Sequence, residues 1–183
     1  MGIIRKNRSL GASGAPIKID ADFVTTPDGL LRFASANGID LCPLDVKTLA
    51  EKTGIEVAYE PLNDNISGSL RLVNGKWKIT VNKYHHPRRR RYTIAHELGH
   101  YFLHRHQEKF FEDHVFFRGA GRSTQEWEAN AFASEILMPE EEFKRLVHDG
   151  IDDIDKLARN FGVSTLALRI RAKELGFQGH DLD

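Results

Sequence analysis

His96-Glu97-Leu98-Gly99-His100 decides the reading of this chain. Two histidines four positions apart share one face of an α-helix, so both rings reach a single Zn2+. The glutamate between them points near the metal's open position, where it can take a proton from water. The flanks fit a helix: Ile94, Ala95, Phe102 and Leu103 are apolar, and Pro87 suits a first helical position, where its missing N–H would have no intrahelical partner. The pattern predicts a helix from Arg88 to about His104.

A catalytic zinc needs a third protein ligand and an open fourth position. Nine histidines are present, and His85, His86, His96, His100, His104, His106 and His114 crowd into one short region. His106 has the spacing of HExxHxxGxxH, but Leu103 stands where that pattern turns on a glycine. His104 lies one further turn along, about 6 Å beyond His100 and about 12 Å from His96, too far to complete the same site. Both read as helix-end or packing histidines. Carboxylates on the next predicted helix, from Ser123 to about Leu137, are the other candidates. Glu126 is accounted for by a capping box with Ser123. Glu128 sits among Trp127, Ala129, Ala131, Phe132 and Ala133, and a buried carboxylate needs a partner, for which a metal is suited. The expected set is therefore His96, His100 and Glu128 as metal ligands, with Glu97 as the catalytic base. Glu135, seven residues after Glu128, shares its face and either supports it or meets solvent.

The rest of the chain gives this motif an α+β setting. Ser69–Val73 and Trp77–Val81 flank Asn74-Gly75-Lys76, a hairpin signal; the second strand could offer an edge to an extended substrate. Ahead of it come predicted helices at 27–37 and 43–53 and a strand carrying Ile55, Val57 and Tyr59. Phe110, Phe111, Phe116 and Phe117 fall in a predicted loop and read as core or cleft wall. Pro139 and Glu140–Glu142 open a further helix, followed by a pair over 152–161 and 164–175 joined at Gly162. That pair has helix-turn-helix spacing, with Ser164 as cap and Arg169, Arg171 and Lys173 on its second member. The domain reading is a flexible tail at 1–25, a metallopeptidase core at 26–138 and a helical subdomain resembling a helix-turn-helix at 139–183.

Composition narrows the function classes. The 183 residues carry 26 basic and 26 acidic side chains, so net charge gives no pull toward nucleic acid or anionic lipid. The single cysteine, Cys42, excludes an intramolecular disulfide framework and a cysteine-built zinc site. No apolar run reaches membrane-spanning length and no secretory signal is recognised, so a cytoplasmic protein is expected. Arg88–Arg91 spread around a helix rather than forming one patch, and cations at a helix N-terminus imply a local acidic partner.

Tyr92-Thr93-Ile94-Ala95-His96-Glu97-Leu98-Gly99-His100-Tyr101, then Glu128-Ala129-Asn130-Ala131-Phe132-Ala133 and Leu137-Met138-Pro139, resemble the ImmA/IrrE family of metallopeptidases over about Leu41 to Phe177. The resemblance implies a zincin-like fold, a gluzincin-like site of His96, His100 and Glu128 with catalytic Glu97, and a prokaryotic or mobile-element source. It further implies a partner: a helix-turn-helix repressor or antitoxin-like protein, cleaved to release transcription. The expected function is zinc-dependent hydrolysis of a peptide bond in such a regulatory protein. The rival is a non-proteolytic zincin-like binder or a DNA-binding regulator using the C-terminal helices. Tyr101, His104, His114 and nearby arginines are all candidates for stabilising the oxyanion.

Overall fold

The computed structural model describes residues 25–114 and 124–177. The described residues open with two short helices, α1 (Pro27–Ala36) and α2 (Val46–Lys52), capped by Thr26 and Asp45. Each cap accepts a backbone N–H that the first helical turn leaves without a partner, an interaction worth about 1 kcal/mol. Gly38 and Gly54 follow with positive φ and end both helices.

Strand β1 (Glu56–Glu60) precedes a hairpin of β2 (Ile66–Val73) and β3 (Lys76–Asn82). Asn74 and Gly75 both have positive φ, as a two-residue turn with right-handed strand twist requires, and Val73 faces Lys76 across it. The expected hairpin is present and each strand extends beyond its expected core.

The active-motif helix α3 (Pro87–His104) starts at His86, whose Nδ1 accepts the Arg88 N–H at 3.2 Å. It is followed by β4 (Phe110–His114), where the sequence reading expects a loop. The four-stranded sheet runs β1-β3-β2-β4, with β1 parallel to β3 and the other pairs antiparallel. This corrects the edge assigned to Trp77–Val81. That segment lies inside the sheet between β1 and β2, and the edges are β1 and β4.

Helices α4 (Thr124–Leu137), α5 (Glu140–His148), α6 (Ile154–Phe161) and α7 (Thr165–Glu174) complete the fold. Ser164 caps α7 as expected, its Oγ accepting the Ala167 N–H at 3.1 Å. One continuous apolar core joins all layers, from Leu30 and Leu49 through Leu70, Ile94 and Leu98 to Phe143, Phe161 and Leu168. Two arginines, the half-buried Arg91 and the buried Arg171, tie the C-terminal helices down. Arg91 of α3 donates to the carbonyls of Gly162 (3.2 Å) and Phe161 (3.4 Å), and Arg171 of α7 donates to the Met138 carbonyl at 3.2 Å. Arg171, one of the three basic residues expected on this helix as a DNA-binding decoration, therefore points inward. The basic run behaves as separate side chains: Arg89 donates to Ser67 Oγ, Arg90 lies over the Tyr59 ring, and Arg91 is in a site where burial disfavours its charge and Asp45 only partly offsets this.

Candidate metal centre

Helix α3 is buried along the stretch that matters: His96 is 2% exposed, Glu97 0%, His100 2% and His104 1%. It lies between α4 on one side and β2 on the other, and two glycines make these approaches close. A Cβ on Gly99 would stand 2.9 Å from both the Cα and the carbonyl oxygen of Ala129 in α4. A Cβ on Gly68 in β2 would stand 2.5 Å from Thr93 Cγ2 and 3.5 Å from Glu97 Oε1. Only residues without a Cβ allow both neighbours so near the motif.

The Gly99–Ala129 contact sets which part of α4 faces the histidines. Glu126, three residues before Ala129, is on the same face. Its Oε1 lies 3.1 Å from His100 Nε2 and its Oε2 lies 3.4 Å from His96 Nε2, while the two Nε2 atoms are 3.1 Å apart. Asn130 holds this turn in place: it accepts the Tyr92 hydroxyl at 2.9 Å and donates to the Glu126 carbonyl at 2.7 Å.

The three side chains fit a metal. Zn–N and Zn–O bonds of about 2.0–2.2 Å in a tetrahedron separate neighbouring ligand atoms by roughly 3.3–3.5 Å. The observed separations of 3.1, 3.1 and 3.4 Å come close to that spacing. Protonation fits as well. Burial pushes the His100 imidazole toward its neutral form, and a hydrogen bond donated to Glu126 opposes this only partly. Burial would raise the Glu126 carboxyl, yet hydrogen bonds from His100 and His96 hold it well below the usual carboxylate range. Neutral imidazoles and an ionised carboxylate are the forms that bind metal.

Glu128, expected as the third ligand, does not join this cluster. Its Oε2 sits 2.8 Å from His104 Nε2. The reason is helical phase. Glu128 is turned about 100° around α4 from Ala129, and its side chain is 43% exposed against 35% for Glu126. Its apolar sequence neighbours do not bury it, since adjacent Trp127 is itself 64% exposed. The capping partner proposed for Glu126, Ser123, lies outside the described residues, as do Phe116 and Phe117. His104, set aside as a ligand, is indeed not in the triad; it is engaged by Glu128 and by His100, Nδ1 to Nδ1 at 3.2 Å. Phe111 from β4 stacks on His100 with centroids 4.6 Å apart and planes 18° apart, so this phenylalanine walls the site. Tyr101 is 7% exposed and edge-on to Trp77.

Over residues 50–173 the chain matches the peptidase M78 family model, described as the IrrE N-terminal-like domain. The chain belongs to this family. The match covers the end of α2, the whole sheet, α3 to α6 and nearly all of α7, so this family member carries its histidine–glutamate triad inside the shared domain. No curated protein matches the chain. Family and triad together give this member a zinc-dependent metallopeptidase role. Among the described residues no helix is long and apolar enough to cross a membrane.

Proposed function

We propose that this family member is an endopeptidase that cleaves a regulatory protein, with His96, His100 and Glu126 holding Zn2+ and Glu97 acting as general base. The observation that carries this reading is the closure of Glu126 on the buried His96–His100 pair, beside a fully buried Glu97. Two imidazoles and a carboxylate suit zinc better than magnesium or calcium, which prefer oxygen ligands. Zinc bound there supplies Lewis acidity to the scissile carbonyl and to the attacking water. Glu97 takes the proton from that water and delivers it to the leaving amine. The close approach of Gly68 restricts the carboxylate of Glu97, which favours the geometry for that transfer.

The strand that carries Phe111 supports a peptide substrate. Among the described residues β4 has one hydrogen-bonded neighbour, β2, so its outer edge is oriented to receive an extended chain beside the triad. A helix-turn-helix regulator as that substrate rests on the resemblance to the ImmA/IrrE family. DNA binding by α7 has less support: Arg171 is internal, and the exposed positions include Leu166 at 51% and Ile170 at 52%. Such a face mixes apolar side chains with the exposed Lys173 and offers few cations to phosphate.

The test is incubation with a helix-turn-helix regulator encoded beside this protein, with and without chelator. Chelator-sensitive cleavage is expected, and stable association without cleavage would favour a binding role. Glu97→Gln should retain zinc and lose activity by at least about 10²–10⁴-fold. Undiminished hydrolysis by that variant would overturn the role of Glu97.

A further inference from the structure

Beyond the triad, the buried face of α3 continues to His104, and there the contacts form a line. Glu128 Oε2 meets His104 Nε2 at 2.8 Å, His104 Nδ1 meets His100 Nδ1 at 3.2 Å, and His100 Nε2 faces the triad. We propose that Glu128 and His104 are positioning residues for the metal: together they fix which nitrogen of His100 carries its proton and which way its ring faces. The proposal rests on the ligand set given above.

The donor directions follow from the geometry. For Nε2 of His100 to offer a lone pair to a metal, its proton must sit on Nδ1. That N–H points at His104 Nδ1, which must then accept, so the proton of His104 sits on Nε2. That N–H in turn points at Glu128, a carboxylate that can only accept. For a His100 that offers Nε2 to a metal, every donor along the line has one acceptor, and the alternatives fail. A proton on His104 Nδ1 would confront the Nδ1–H of His100 at 3.2 Å. Reversing His100 to avoid this would aim an N–H at the triad and remove the ligand. Glu128 selects the productive arrangement from its far end.

The surroundings keep the arrangement fixed. His104 is 1% exposed, and Phe111 stacks on His100 and lies 6.2 Å from the His104 ring, so little water competes for the Nδ1 pair. Metal-binding histidines are commonly oriented by an acceptor for their second N–H, and removing such a support typically weakens metal binding about 10- to 100-fold. In this chain the acceptor is a second histidine, and the carboxylate stands one step further out.

The experiment measures zinc affinity by competition with a chromophoric chelator for the full chain and for three variants, with thermal unfolding of each metal-free form to show that it folds. His104→Leu removes the acceptor, whereas His104→Asn places an amide oxygen near the position of Nδ1. Expected are a loss of about 10- to 100-fold for His104→Leu, recovery to within about threefold of wild type for His104→Asn, and an intermediate loss for Glu128→Ala. A packing role predicts the opposite order, because a buried site accepts leucine more readily than asparagine. Equal affinities for wild type and His104→Leu, or equal losses for the leucine and asparagine variants, would overturn the relay while leaving the triad intact. Absence of zinc binding by the wild type would overturn the ligand set and the relay with it.

Discussion

Gly99→Ala separates the needs of the fold from those of the site. An added Cβ would lie 2.9 Å from the Ala129 Cα and carbonyl oxygen and 3.3 Å from its carbonyl carbon. Ordinary carbon contacts fall at about 3.5–4.0 Å, so α3 and α4 must separate by roughly 0.6–1 Å. The obstructing atoms are backbone and cannot rotate aside. Two terms oppose each other in stability. Alanine favours a helix over glycine by about 1 kcal/mol, while overpacking costs about 1–3 kcal/mol. The expected net loss is about 0–2 kcal/mol, a drop in Tm of roughly 0–8 °C. The site suffers more, because Glu126 is carried on the same turn as Ala129 and functional geometry tolerates only about 0.5 Å. Zinc affinity should therefore fall about 10- to 100-fold in a protein that still folds. Thermal unfolding of the metal-free protein and chelator competition measure the two effects separately. A Gly99→Ala protein that melts higher than wild type and binds zinc equally well would refute the close helix approach and its part in placing Glu126.

Glu126→Ala should abolish stoichiometric zinc after desalting, whereas Glu128→Ala should stay fully loaded at saturating metal; elemental analysis of both decides, and the reverse pattern would restore Glu128 to the ligand set. Burial, reinforced by the nearby Glu142 carboxylate, pushes the Cys42 thiol up to about 11. Since burial disfavours the thiolate, iodoacetamide at pH 8 should modify Cys42 roughly 100-fold more slowly than a free thiol, with the rate rising toward pH 11. A rate at pH 8 equal to that of glutathione would contradict this environment.

Most of the fold was legible because local chemistry set it. Asn74-Gly75 supplies the positive φ values of the hairpin, Gly38, Gly54 and Gly162 stop helices, and Ser164 caps α7. The missed element was β4. Residues Phe110–His114 are short, carry charged and aromatic side chains without clear alternation, and form a strand because β2 supplies hydrogen-bonding partners such as Leu70 for Phe111. That is a non-local cause with no signature in a window of the sequence. It also explains the wrong edge: without β4 and the parallel β1–β3 pair, nothing in the hairpin itself tells which of its strands becomes interior.

At the site, the two histidines and Glu97 were legible because HExxH fixes their geometry within one helix turn. The third ligand depends on how a second helix is rotated, and adjacency in sequence is a poor guide to that. The useful signal was periodic: Glu126, Ala129, Asn130 and Ala133 form an i, i+3, i+4, i+7 stripe whose alanines are both fully buried. A stripe of small residues facing Gly99 is what two closely packed helices require, and it places Glu126, not Glu128, at the seam. The same rotation that removes Glu128 from the triad brings it to His104. The two carboxylates are not rivals for one position: they meet successive turns of α3. One turn is read by direct approach to His96 and His100, and the next through a ring that His100 already touches. The spacing of histidines along α3 therefore puts His104 next to the cluster of His96, His100 and Glu126 without making it a member.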